Sequence, residues 1–290
     1  MEIITLENIK PKEIITNTSK GTVIELQNGD VLKLFGELYS DSDFLMKLIE
    51  DKVELLQSYN HISGIVVPKQ KVFSDETGMF VGYIMDKTAG IAFPELHENL
   101  PLSKLRKLNY LTELYLKIEE IIKTVNANGI IVPDLGTMYN IMIDEKKDMR
   151  LIDCDSWQVG PYIALEISSL LGEQEQYGAS KYTDPKTGLL KTNLDKKSLA
   201  LIYFVTVAGL LLEQTIRNQQ SILKLNTTQA LEMIFNQLEL DDVDFQHKIW
   251  KLYQQNEENE YIGDDVRRIS ENYVLMFDKD NKGIRKFKKR

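Results

Sequence analysis

The chain has 290 residues, of which 43% are hydrophobic and 27% charged, with a net charge of −9. That is enough chain for one large domain or two modest lobes with real cores, and the acidic balance argues against a general nucleic-acid binder, which would carry a basic field. A single Cys excludes an intrachain disulfide and fits a reducing compartment, and with only three His it argues against a structural zinc site.

The N-terminal stretch MEIITLENIKPKE lacks a basic start followed by a long apolar run, so no secretory signal is expected and the expected location is cytoplasmic. Residues 13–35 hold three β-rich runs separated by NTSKG and NG. Asn28-Gly29 is a strong hairpin signal, because both central positions of a type I′ turn need positive φ. Thr22–Gln27 and Asp30–Phe35 should therefore pair as strands. Residues 41–59 change to a helical period, with Leu45, Leu48, Ile49, Val53 and Leu56 as the apolar stripe and Asp41 or Ser42 as N-cap. GIVVPKQKVF and MFVGYIMD follow as two strands around the turn SDETG.

From about Ser103 the chain reads as helix, with Leu111, Leu114, Tyr115, Ile118, Ile121, Ile122 and Val125 on one face. Asn128-Gly129 is a fitting stop. Three short apolar runs come next, and the last two, NIMI and MRLI, bracket a hairpin turn at DEKKD. Residues 160–195 are mixed and loop-like, and the remainder reads as mostly helical to about 276. The most apolar run, LALIYFVTVAGLLL at 199–212, has 14 residues. It falls short of the roughly 20 that span a bilayer and reads as a buried helix, so no stable membrane insertion is expected. The tail at 282–290, KGIRKFKKR, reads as a solvated, frayed terminus or as a contact for an acidic surface.

Several polar residues break these apolar runs. Asp134 and Asn140 lie six apart in NGIIVPDLGTMYNIMID, Asp153 ends a strand in LIDCDSWQ, and Lys33 sits mid-strand in DVLKLF. Carboxylates and an amide at strand ends suit Mg²⁺ held with phosphates, and a lysine would neutralise phosphate charge. Taken singly, each has a plainer reading: a snorkelling strand lysine, turn-capping Asp and Asn, a helix-end acid at Asp195. Cys154 reads as a buried small hydrophobe, Trp157 as packing against the helix at 41–59, and His61 as a turn residue.

In order and spacing, DVLKLF, PDLGTMYN, LIDCDSWQ and LDKKSLALIY resemble the third-strand lysine, catalytic loop, metal motif and large buried helix of the protein kinase-like superfamily. Within it, VVPKQKVF…DETGMFVGYIMDK and IDCDSWQV look like a bacterial group with a D-x-D-S-F-Q form of the metal motif. The resemblance covers roughly residues 13–215. It implies an α+β fold of two lobes. Residues 1–88 would be a small antiparallel β lobe with one helix, residues 89–290 a larger, mostly helical lobe, with ATP between them. It implies an ATP- and Mg²⁺- (or Mn²⁺-) dependent phosphotransferase acting on Ser/Thr of a protein substrate.

Carried over residue by residue, Asp134 would orient the attacking hydroxyl. Asn140 and Asp153 would hold Mg²⁺, and Lys33 would reach the phosphates. Glu50, rather than Glu54, would pair with Lys33, and Asp195 would brace the catalytic loop. Gly21 would lie in the phosphate-covering loop and Val23 over adenine, with Met85 behind it and Asp86 to Thr88 as hinge. The chain departs from the pattern at Thr16 and Thr18 (usually Gly), at Val132-Pro133 (usually His-Arg) and at Gly136 (usually Lys). It also has one extra residue between Asp134 and Asn140, and Cys154-Asp155 where Phe-Gly is usual. These departures keep two alternatives open, a pseudokinase scaffold that binds nucleotide or a partner protein without catalysis, and a small-molecule kinase. Substrate choice would lie in 160–192.

Overall fold

The computed structural model describes residues 2–96, 108–165, 182–208, 229, 260–277 and 285–289. The fold is mixed α+β. The chain divides into two compact units, residues 1–90 with 142–165, and residues 91–141 with 166–290. Residues 142–165, which the sequence reading put with the second lobe, group with the first unit.

The first unit is built on a six-stranded sheet of β1 (Glu2–Thr5), β2 (Pro11–Thr18), β3 (Gly21–Leu26), β4 (Asp30–Phe35), β5 (Pro68–Phe73) and β6 (Phe80–Asp86), ordered β1-β5-β6-β4-β3-β2. β3 and β4 pair as the sequence predicts, but the turn is not type I′: three residues, 27–29, connect the strands, Gly29 alone takes positive φ (+88°), and its N–H donates to the Leu26 carbonyl at 3.0 Å. The pairs β3–β4, β4–β6 and β5–β6 are antiparallel. β1 was not anticipated. It pairs parallel with β5, and the chain after it brings Leu6 and Ile9 against the sheet.

Strand alternation gives the sheet two apolar faces. Leu26, Leu32, Val72 and Ile84 form one, joined by Ile4, Leu6 and Ile9. Val31, Phe35, Phe80, Tyr83 and Met85 form the other, packed on Met46, Ile49 and Val53 of α2 (Asp43–Gln57), which a short turn, α1 (Glu37–Ser40), precedes. Ser42 caps α2, its side chain accepting from the Leu45 N–H at 3.3 Å. The buried stripe of α2 is Met46, Ile49, Lys52, Val53 and Leu56, rotated from the expected one so that it takes in a lysine and leaves Leu45 and Leu48 half-buried.

Lys33 lies between Val31 and Phe35 on the α2 face of β4. Its cross-strand neighbours are Val23 on β3 and Tyr83 on β6, and Tyr83 in turn faces Lys71 on β5. One row across the sheet thus reads Val23, Lys33, Tyr83, Lys71. Gly82 sets the spacing beside it, since a Cβ there would lie 2.2 Å from the Lys33 carbonyl oxygen. Further along the chain, β7 (Ile141–Ile143) and β8 (Met149–Leu151) form the expected hairpin. Its turn is closed by Asp144 Oδ1, which accepts from the N–H groups of Lys146 and Asp148 at 2.8 Å each.

In the second unit, α3 (Leu108–Ala127) buries Leu111, Leu114, Tyr115, Ile118, Ile122 and Val125, and ends at Gly129 with φ +74°. The predicted helical residues 103–107 lie outside the described ones. α3 packs on α4 (Asn193–Ala208) and α5 (Gly263–Asn272), with Tyr115 and Tyr203 in edge contact at 5.1 Å. Among the described residues no helix is long and apolar enough to cross a membrane. Of the apolar run 199–212, residues 199–203 are buried in α4 and those beyond 208 lie outside the described set, as does most of the stretch expected to be helical up to 276.

The C-terminal expectations need correction. Tyr273–Phe277 is a strand, β9, not the end of a helix, and it pairs antiparallel with β10 (Arg285–Lys289) inside the tail expected to fray. The run YVLMF is rich in the β-branched and aromatic residues that favour strands, and a partner strand satisfies the tail's backbone whatever its charge.

Because Gly82 admits the β4 backbone at that distance, Gly82→Ala should force the two strands apart. We expect a loss of about 2–3 kcal/mol, typical of overpacking, measured by urea denaturation.

Candidate functional site

A lysine on the apolar face of a central strand must find counter-charges, because burying an unpaired ammonium is costly. The Lys33 side chain is 12% exposed and has two partners. Asp155 accepts from Lys33 Nζ at 2.8 and 3.0 Å through its two oxygens, and Asp153 accepts through Oδ1. Both acids come from the turn that follows β8. That turn is fastened to the loop ahead of β5 by Leu151 N–H to Gly64 O (2.8 Å) and Val66 N–H to Leu151 O (2.9 Å).

Asp153 then adopts φ 66°, ψ 37°, a left-handed conformation that Asp tolerates better than most residues. A single helical turn, Cys154–Ser156, follows, closed by Ser156 Oγ donating to the Asp153 carbonyl at 2.8 Å. With this geometry two acids separated by one residue reach the same ammonium.

Asp155 is the better buried of the two, at 3% side-chain exposure against 34% for Asp153. Tyr83 donates its hydroxyl to Asp155 Oδ1. Lys52, fully buried on α2, donates to the carbonyl oxygens of Asp155 (3.0 Å) and Ile163 (2.8 Å). Two lysines and two carboxylates therefore share one cluster, buried except at Asp153, whose formal charges cancel.

The environment shifts each group. Burial pulls the Lys33 ammonium down, but Asp155 and Asp153 outweigh it and hold it well above the usual lysine range. Burial pushes the Asp155 carboxyl up, and Lys33 with the Tyr83 hydroxyl brings it below its ordinary value. Among the described residues Lys52 has no carboxylate oxygen as a hydrogen-bond acceptor; burial takes it down to about 8 against the pull of Asp155. Burial, then the neighbouring acids, push the Cys154 thiol well up, so it sits as an inert, fully buried hydrophobe, with Trp157 fully buried nearby in sequence.

Glu50 lies elsewhere than expected. It bonds Lys71 and Lys47, each at 3.1 Å, and Glu54 also pairs with Lys71. Lys71 is two strands from Lys33 in the same row, roughly 9–10 Å across the sheet. Neither glutamate is thus the partner of Lys33; that place is filled by Asp155 and Asp153.

The other residues expected to bind nucleotide lie in this unit in different settings. A Cβ on Gly21 would lie 2.2 Å from the Leu34 carbonyl oxygen, so this glycine serves the approach of β3 and β4. Val23 and Met85 sit on the α2 face with Lys33, half-buried and buried. Asp86 is exposed and paired with Lys69. Thr88, with Asp86, Lys87, Ala89, Asp144, Asp148 and Arg150, lines a polar cavity of about 380 Å³.

In the second unit, Asp134 is 5% exposed and sits at φ −99°, ψ 9°, in the sparsely populated bridge region where many active-site residues lie. Asn140 Nδ2 donates to Asp134 Oδ2, which leaves the amide oxygen of Asn140 as the atom able to ligate a cation. Asp195, fully buried at the start of α4, accepts the Val132 N–H at 3.1 Å on both oxygens, two residues before Asp134. It also accepts from Asn126 Nδ2 (2.6 Å), whose own oxygen accepts the Tyr261 hydroxyl (2.9 Å). Burial pushes the Asp195 carboxyl up to about 7, against the two donors.

Sequence reasoning missed Lys52, Tyr83 and the pairing role of Asp155. Lys52 was findable, being three after Ile49 and four before Leu56, and so on the buried stripe. Among the described residues no three His, Cys, Asp or Glu side chains gather as a cation cage. A Mg²⁺ held by one or two protein ligands, phosphate and water does not need one, and the half-exposed carboxylate of Asp153 suits that mode. Of the segment 160–192 expected to choose the substrate, residues 166–181 lie outside the described ones.

No protein-family model and no curated protein matches the chain.

Because the folded-state value for Asp195 lies above the ordinary 3.8, the native state holds this proton over a range in which the unfolded chain has lost it. Its contribution to stability is complete below about pH 4 and is lost as pH rises to about 7. Across that window the wild type should lose up to about 4 kcal/mol relative to Asp195→Asn, each tenfold change in proton affinity being worth about 1.4 kcal/mol. Urea denaturation of both proteins at the two ends of the window measures it.

Proposed function

We propose that the chain is an ATP- and Mg²⁺-dependent phosphotransferase of the protein kinase-like type, with the small β unit and the larger helical unit as its two lobes. The observation that carries this reading is Lys33, held on the face of a central strand by the two acids of the DCD turn. A cation fixed there, beside a partly exposed carboxylate, is what a Mg-bound phosphate chain requires.

Lys33 supplies the charge opposite the phosphate oxygens. In the first unit Asp153 is the ligand offered to Mg²⁺, which when bound would neutralise charge on the transferred phosphoryl group; in the second unit the Asn140 amide oxygen is left able to ligate a cation. Asp134, steadied by Asn140 and with its loop anchored through Val132 to Asp195, accepts a hydrogen bond from the acceptor hydroxyl and orients it. The resemblance, rather than the geometry, points to Ser/Thr of a protein as that acceptor.

A second reading is favoured by one feature. Both acids of the DCD turn are already engaged with Lys33, as suits a scaffold that binds nucleotide without transferring phosphate.

Thermal unfolding with ATP, with and without Mg²⁺, tests the first reading. A ligand that binds only the native state stabilises it by about 2.7 kcal/mol at a hundred times its Kd. Mg-ATP should raise the Tm of the wild type, and Asp153→Asn should lose most of the rise. If no nucleotide shifts the wild type, the phosphotransferase reading fails. If Mg-ATP binds and no phosphate reaches any protein, the scaffold reading takes its place.

A further inference from the structure

The geometry points to Asp155 as the positioning residue that holds Lys33 in place, and to Lys52 of α2 as the residue that fixes Asp155. Its purpose rests on the phosphotransferase reading; the contacts stand without it. Among the described residues, the acids of α2 nearest in register, Glu50 and Glu54, are committed to Lys71. The helix instead sends a cation toward the site. Lys52 Nζ binds the backbone oxygens of Asp155 and Ile163, and so ties both limbs of the DCD turn to α2. Asp155 in turn grips Lys33 through both carboxylate oxygens while Tyr83, the cross-strand neighbour of Lys33, bonds the same carboxylate.

The two acids on Lys33 are not equivalent. Asp155 is closed off at 3% exposure and is bound from three directions, by Lys33, Tyr83 and, through its backbone, Lys52. Asp153 is open, at 34%. As phosphate oxygens approach, Lys33 exchanges Asp153 for them and keeps Asp155, which frees Asp153 to act as a metal ligand. A lone carboxylate partner would have to serve both purposes. A doubled acid separates them. In this arrangement helix and turn are joined by a lysine from the helix and an acid from the turn, and any displacement of α2 is felt at Lys33 through the turn.

The test reads Lys33 in nucleotide-free protein. Its acetylation by acetic anhydride is measured by peptide mass spectrometry, with the exposed Lys146 as internal reference. Asp155→Asn is expected to speed labelling of Lys33 about tenfold, the scale on which loss of one charge-assisted bond acts. Lys52→Met should speed it in the same direction, and Lys52→Arg should restore the slow rate. Should Asp155→Asn fail to fold, Asp155→Glu displaces the carboxylate with its charge kept, and is expected to raise labelling by a smaller factor. With Mg-ATP, a positioning role appears as a raised KM for ATP in Lys52→Met that Lys52→Arg reverses.

Unchanged labelling in the Asp155 variants overturns the proposal, as does a rise on Glu50→Gln in their place. A wild type that ignores every nucleotide but shows the expected labelling pattern upholds the contacts and removes only the phosphotransferase reading.

Discussion

A positive charge on the buried face of a β-sheet sets the terms for much of the first unit. Lys33 occupies a position that alternation assigns to an apolar side chain, between Val31 and Phe35 and opposite Val23 and Tyr83. An ammonium is tolerated there only with its charge compensated at contact distance. That need draws in the turn after β8, requires a left-handed backbone at Asp153, and gives the Tyr83 hydroxyl its acceptor. The cluster is weak grounds for stability, since a well-packed apolar set of the same volume does as well or better. On the proposed phosphotransferase reading it is a site maintained for its chemistry.

The same row of the sheet explains how α2 is oriented. Lys71 and Lys33 flank Tyr83, and each takes a different class of partner. Lys71 meets the glutamates of the helix near the sheet edge, while Lys33 meets the aspartates of the DCD turn. Lys52 reaches past both to backbone oxygens. Three lysines divide the available acids and carbonyls with little overlap, which fixes the rotation of the helix about its axis more firmly than the apolar stripe alone would.

Much of this was legible in the sequence, and the failures have identifiable causes. The strand pairs follow from local chemistry and stand as read, and of the two N-cap candidates Ser42 is the one used; the hairpin at Asn28-Gly29 forms, but with positive φ at the glycine alone and not as type I′. The choice of Glu50 failed because the helical wheel was centred on apolar residues only. Including Lys52 turns the buried face toward the turn, and the strand row then delivers Lys71, not Lys33, to the glutamates. β1 was missed because a short strand pairing in parallel with a distant one leaves no local signature. β10 was missed because its basic residues masked a segment whose pairing depends on backbone groups. Asp155 was visible only as an oddity in a motif, since nothing in a linear pattern says which of two acids turns inward.

The grouping of residues 142–165 with residues 1–90 has a consequence for how the molecule comes into being. The chain leaves the first unit, builds part of the second and returns before it can finish the first. A nascent chain that ends at residue 90 has Lys33 and Lys52 without Asp153, Asp155 or the Ile163 carbonyl. Translation at about 5–20 residues per second delivers the missing segment several seconds later. During that interval β4 and α2 each carry a lysine destined for burial with no counter-charge or carbonyl from 153–163 to receive it. The first unit is therefore completed only after part of the second has been made, and a cut between residues 90 and 142 separates Lys33 and Lys52 from the groups that receive them.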